Sequence, residues 1–120
     1  AAASIVASIT AMEDEGIIEN AAAIGRDHIA PGLAALAAKH DCIGEVRGRG
    51  VFWAMELVAN RDTREPLSAA DMGRIKGALV KRGLLPFIAD NRIHVVPPAV
   101  VTADEVARAM AIYDEALSEL

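Results

Sequence analysis

The spacing of apolar positions divides the chain into helical and extended stretches. Over the first fourteen residues, Ile5, Ile9 and Met12 recur at intervals of four and three in an Ala-rich run, which places them on one face of a helix. No capping Ser, Thr, Asp or Asn precedes that run, so the helix is expected to continue one that begins in a longer polypeptide. Gly16 marks a break. Glu19 or Asn20 can then open a second helix reaching Lys39, with Ile24, Ile29, Leu33 and Leu36 along its apolar side. Pro31 falls inside this pattern; it lacks an N–H and its ring crowds the preceding turn, so a kink or a short break is expected near residues 30–32.

Beyond His40 and Asp41 the period changes to two. Ile43 and Val46 flank Glu45 and Arg47, and Val51, Trp53, Met55 and Leu57 alternate with Phe52, Ala54, Glu56 and Val58. The two strands meet at Gly48, Arg49 and Gly50, where glycine permits the positive φ of a tight antiparallel turn. A polar loop at 60–67 leads to Ser68 and Asp71, spaced as a capping box, and to a helix with Met72, Ile75 and Leu79 inward that ends at Arg82 and Gly83. Two short strands, 84–88 and 92–96, follow, joined by residues 89–91. Pro97 and Pro98 stop the ladder because neither has an N–H to donate. Thr102 and Glu105 form a second capping box, behind which Val106, Met110, Tyr113, Leu117 and Leu120 line one face of a terminal helix.

This order predicts an α+β domain: a mostly antiparallel four-stranded sheet with helices on one face, preceded by two helices. At 120 residues one domain, 1–120, is expected. Aromatics make up only 3% of the chain against 53% hydrophobic residues, so the core must be built from Ala, Val, Ile and Leu. The formal net charge of -5 and the lack of a basic stripe argue against nucleic acid as a partner. No apolar run is long enough to span a bilayer and the start lacks a basic signal region, so a cytoplasmic protein without a membrane partner is expected.

Candidate chemistry is sparse. Cys42 is the single cysteine, with no neighbour that would make its thiolate reactive, and His28, His40 and His94 lack metal-ligand spacing, so no metal site is expected. Gly48, Arg49 and Gly50 contain a G-x-G, but a phosphate-cradling loop leads into a helix and here a strand follows. Lys39, Lys76 and Lys81 fall on polar helix faces or helix ends, unsuited to a Schiff-base nucleophile, which must be desolvated or electrostatically activated. Arg47 and Arg49, flanking a turn, are expected to be solvated or paired with an acid such as Glu45, and Glu56, if buried, would need a partner such as Arg47 or Arg92. Arg92 and His94, two apart, share one face of a strand that ends stiffly at Pro97 and Pro98, a suitable place to present a ligand contact.

Residues 45–57 (EVRGRGVFWAMEL), 81–85 (KRGLL), 93–98 (IHVVPP) and 102–105 (TADE) together resemble, in order and spacing, the successive landmarks of class III aminotransferases, the ornithine, acetylornithine and ω-amino-acid group of fold-type I pyridoxal-phosphate enzymes. The resemblance covers essentially the whole chain and implies the C-terminal small domain of such an enzyme, with residues 1–15 as a helix continuing from the large domain. It implies that the Schiff-base lysine, the acid partnering the cofactor ring and the phosphate-binding loops lie in that large domain. Catalytic and cofactor-binding residues are thus expected to be absent here, with pyridoxal phosphate held by a homodimeric parent that moves an amino group from a primary amine or amino acid to a 2-oxo acid. In many members an arginine shortly before the Pro-Pro pair grips a substrate carboxylate. His94 occupies that position, so His94, with Arg92 beside it, is the expected substrate contact. A neutral imidazole offers one donor and no fixed charge where arginine offers a bidentate fork. The alternative is a free-standing small-molecule-binding or interaction module of α+β fold. A ferredoxin-like core would need the order strand-helix-strand-strand-helix-strand, which this chain does not follow.

Overall fold

The computed structural model describes all 120 residues. Its elements are α1 (Ala2–Asp14), α2 (Ile17–Ile24), a π-helical turn (Gly25–Ile29), α3 (Ala30–Lys39), β1 (Ile43–Arg49), β2 (Phe52–Asn60), β3 (Glu65–Pro66), α4 (Ala69–Lys81), β4 (Phe87–Ala89), β5 (Arg92–Val95) and α5 (Ala103–Leu117). The sheet runs β1-β2-β5-β4, antiparallel throughout, and the two-residue β3 pairs with the far end of β2 inside what the sequence presents as loop. The architecture is the expected two-layer α+β fold with this one strand added.

Cross-strand register sorts the side chains. Val46, Met55 and Ile93 align across three strands on the inner face, with Trp53 opposite Val95 in the next row. Met55, Leu57 and Ile93 are fully buried there, in one cluster with Leu33 and Leu36 of α3, Met72, Ile75 and Leu79 of α4, and Val106, Tyr113 and Leu117 of α5. Ile43 and Val46 are three residues apart, a spacing that strict alternation cannot place on one face. A shift of register between Ile43 and Glu45 resolves this by inserting Gly44 as an extra residue, so that both pack on the core.

The helical entry differs from expectation in three ways. The second helix starts at Ile17, just after Gly16 in a left-handed conformation, so neither Glu19 nor Asn20 is its cap. Asn20 instead donates its side-chain amide to the carbonyls of Ala99 and Val101 at 2.8 and 3.2 Å, tying α2 to the loop after Pro98. The irregularity expected at 30–32 lies one turn earlier, where Ala30 N–H reaches back five residues to the carbonyl of Gly25. Pro31 sits in the first turn of α3, where its missing N–H and bulky ring are accommodated next to this widened turn.

Both turns of the sheet are tighter than expected. Arg49 pairs with Phe52, so Gly50 and Val51 alone form the first turn, with Gly50 at φ 56°. A Cβ on Gly25 would lie 2.1 Å from the carbonyl oxygen of Gly50, so this turn rests backbone against backbone on the π turn, and Trp53 Nε1 donates to the same oxygen at 2.7 Å. Ala89 pairs with Arg92, leaving Asp90 and Asn91 as the second turn, and Pro86 keeps residues 84–86 out of β4.

The caps are those that the local sequence favours. Thr102 and Glu105 make the reciprocal box in full. Ser68 accepts from Asp71 N–H, but the shorter Asp71 carboxylate accepts from the Ser68 hydroxyl rather than from its backbone N–H. Gly83 and Leu84 donate to the carbonyls of Val80 and Leu79, closing α4 with a Schellman motif. α5 ends at Leu117, so Leu120 lies beyond the face expected to include it and is exposed. α1 contributes no buried residue; Ile5, Val6, Ile9 and Met12 are exposed along it, and the molecule is correspondingly elongated at 48 × 29 × 28 Å.

A candidate substrate-facing wall on the open side of the sheet

The face of the sheet away from the helices carries the sequence-expected site residues. Side chains pointing outward form two rows across the four main strands. One reads Glu45, Glu56, Arg92, Ala89 and the other Arg47, Ala54, His94, Phe87, while Arg49 and Phe52 stand opposite each other at the first turn. Arg92 and His94 therefore do share a face.

The two acids of the first row are paired by cations from outside it. Glu45 and Glu56, opposite each other and of like charge, are bridged by Arg47 at 3.4 and 3.1 Å, and Arg64 adds a contact to Glu45 at 2.7 Å. Arg47 is thus a structural partner of both acids, and half-buried Glu56 has the arginine it requires. Arg92 donates to Asp90 at 2.9 Å across the second turn and to the carbonyl of Ala89 at 3.4 Å. This pair is exposed on the open face, with Asp90 83% accessible.

His94 has aromatic company that the sequence reading does not single out. Its ring meets Phe87 with centroids 5.1 Å apart and Phe52 at 6.4 Å, both edge to face. Phe52 and Phe87 lie 64% and 68% exposed, so the two largest side chains of this face are offered to whatever covers it. The signal for Phe87 is the register of the β4–β5 pairing, which appears only once the turn is fixed at Asp90 and Asn91.

Next to Phe87 and His94 a cavity of about 330 Å³ opens between the end of β5 and α5, lined by fifteen residues of which eleven are hydrophobic, among them Leu84, Leu85, Val96 and Met110. Pro97 and Pro98 form one rim, and the Asn20 bonds behind them fix that rim to α2. Tyr113 lines the floor, and burial pushes its phenol up to about 12, so it is protonated at neutral pH. Glu105 also borders the space, with its carboxylate held below the ordinary range by the Thr102 N–H and hydroxyl.

Comparisons with known proteins identify the family. The profile of the family described as aminotransferase class-III matches residues 1–117. The taurine–pyruvate aminotransferase of Bilophila wadsworthia is 32% identical over 97% of this chain and 27% of its own length. Ethanolamine-phosphate phospho-lyase homolog 1 of Caenorhabditis elegans is 29% identical over 98% of this chain and 26% of its own. Among solved structures, a pyridoxal-phosphate-bound amine transaminase from an uncultivated Pseudomonas species superposes with a TM-score of 0.88 at 30% identity, covering 95% of this chain and 26% of that one. The chain belongs to the class III aminotransferase family. It spans about a quarter of the length of these relatives.

The residues present do not fit the family's cofactor. A lysine that binds pyridoxal phosphate must be desolvated or activated. Lys39, Lys76 and Lys81 are all exposed, on α3 and α4, Lys39 is bound to Asp114 at 2.7 Å, and none lines the cavity beside His94. Cys42 offers no substitute nucleophile, because burial pushes its thiol up.

Proposed function

We propose that residues 1–120 are the small domain of a pyridoxal-phosphate-dependent aminotransferase that moves an amino group from a primary amine or amino acid to a 2-oxo acid. In this reading the chain supplies one wall of the substrate cleft and is inactive alone, and cofactor and catalytic lysine belong to a large domain of the same polypeptide. α1, with its exposed Ile5, Val6, Ile9 and Met12, is the helix that joins the two domains. The working enzyme is a cytoplasmic homodimer.

The observation that carries the reading is the combination of a match running through 1–117 with a span of only a quarter of each relative. The absence of a suitable lysine supports the division of labour. His94 borders the cleft directly, and Arg92 supports it by fixing the turn between β4 and β5 through Asp90. The family's chemistry extends to a relative named as a phospho-lyase, so elimination is the competing reaction. The full-length polypeptide, supplied with pyridoxal phosphate, a panel of primary amines and pyruvate, is expected to form alanine. Release of ammonia or phosphate without alanine would replace this reading with a lyase.

A further inference from the structure

We infer that Asn20 is a positioning residue for the substrate cleft: its side-chain amide, reaching from α2, holds residues 99–101 and through them sets the Pro97–Pro98 rim of the cavity beside His94. The inference rests on the reading of this face as a wall of the cleft, and adds the device that keeps the edge of that wall in place.

The backbone chemistry of the rim shows why it needs such a device. Pro97 and Pro98 have no N–H, so β5 stops at Val95 and neither proline can donate a bond to a neighbour. Holding the segment in place then falls largely to its carbonyls and side chains. Val101 N–H closes a local turn onto the Pro98 carbonyl at 2.9 Å, and the Val101 side chain is buried in the core. The carbonyls of Ala99 and Val101 both accept from Nδ2 of Asn20, at 2.8 and 3.2 Å, across 79 and 81 residues of sequence. These two bonds are the hydrogen bonds by which residues 97–101 are tied to another element of the fold.

A primary amide suits this task. One nitrogen carries two hydrogens, so a single short side chain serves both carbonyls, while the Asn20 backbone N–H continues the helix by donating to the Gly16 carbonyl at 3.0 Å. Asparagine is a poorer helix former than the alanines that follow it at 21–23, so local preference does not account for its place in α2; the long-range bonds do. α2 follows α1 directly across Gly16, so in the proposed reading the amide joins the cleft rim to the segment through which the two domains meet. Without it the rim is free to shift against β5 and α5, and substrate positioning is sensitive to displacements of about 1 Å.

The test uses the full-length polypeptide loaded with pyridoxal phosphate, with pyruvate as acceptor and taurine, β-alanine, 4-aminobutyrate and 1-phenylethylamine as donors; kinetics are followed with whichever donor has the highest kcat/KM. Asn20→Ala should raise the donor KM by roughly tenfold and change kcat by less than about threefold. Asn20→Asp keeps the shape but sets a carboxylate oxygen against the two carbonyls, so it should raise KM at least as much. Amide hydrogen exchange in residues 99–102, followed by mass spectrometry, should be faster in both variants. Arg61→Ala removes side-chain bonds to three carbonyls elsewhere in the fold and serves as the control for a general loss of stability; it should leave KM and that exchange at wild-type levels. A wild-type KM in Asn20→Asp, a raised KM without faster exchange, or an equal rise in Arg61→Ala overturns the inference. Failure to turn over any donor with the cofactor bound overturns the underlying aminotransferase reading instead, and the exchange rates still decide whether Asn20 holds the rim.

Discussion

The imidazole Nε2 of His40 lies 2.6 Å from Oδ1 of Asp114, joining the turn after α3 to α5, while Lys39 holds the other carboxylate oxygen at 2.7 Å. His40 is the one buried polar side chain of the core, so this bond satisfies a group that would otherwise be costly to bury. Lys39 first, and His40 second, hold the Asp114 carboxyl below its ordinary value of 3.8. A carboxyl whose value is lowered by folding contributes stability that is fully present above the unfolded value and is lost as pH falls through the folded one. Asp114→Asn should therefore lower the thermal midpoint at neutral pH, and the difference from wild type should shrink as the solution is acidified below pH 4. Parallel midpoint curves across that range would show that the ion pairs contribute nothing.

Glycines separate into two groups with opposite expectations. A Cβ on Gly25 would meet the Gly50 carbonyl at 2.1 Å, a backbone neighbour that cannot swing aside, so Gly25→Ala should destabilise the domain by about 3 kcal/mol. Gly73 and Gly77 lie inside α4 with nothing within 4 Å of a built Cβ. Gly73→Ala and Gly77→Ala should each stabilise by about 0.5–1 kcal/mol through helix propensity. Urea denaturation of the three variants checks all three signs.

Arg61 closes the C-terminal end of α3. One guanidinium nitrogen donates to the carbonyls of Ala37, His40 and Ile43 at 2.7, 3.0 and 2.9 Å, gathering acceptors from the helix end and the start of β1; the His40 carbonyl also accepts from Ile43 N–H at 3.1 Å. Arg61→Ala should cost about 1–2 kcal/mol, reduced from a buried site because the side chain is 44% exposed. The lysine ammonium sits nearer its own backbone than the distal guanidinium nitrogen that reaches the three carbonyls, so Arg61→Lys should recover only part of the loss. Full recovery would mean that charge near the helix end, not the three-carbonyl geometry, carries the effect.

Much of this architecture is legible along the chain because its signals are local. Alternation at Trp53, Met55 and Leu57 suffices to place β2, and Thr102 with Glu105 suffices to start α5, since each feature is satisfied by neighbours in sequence. The misplaced features depend on distant partners. Asn20 looks like a helix cap until Ala99 and Val101 come within reach of its amide. The displaced helical irregularity reflects Pro31 acting on the turn before it, and the Gly25 contact with Gly50 joins elements far apart in sequence. The spacing of two suffices to put Arg92 and His94 on one strand face, whereas Phe87 joins that face only through the register of β4 on β5. The commitment of Arg92 to Asp90 likewise requires the turn geometry.

Under the proposed function, the cofactor site lies in a large domain of the same polypeptide and not in residues 1–120. The most direct measurement is a titration of the purified chain, and separately of the full-length polypeptide, with pyridoxal phosphate, followed by visible absorbance after borohydride reduction and removal of free cofactor. The full-length protein is expected to retain one cofactor per chain covalently on a lysine, and residues 1–120 alone to retain none above the level of random surface labelling. Stoichiometric labelling of Lys39, Lys76 or Lys81 in the isolated chain would contradict the account.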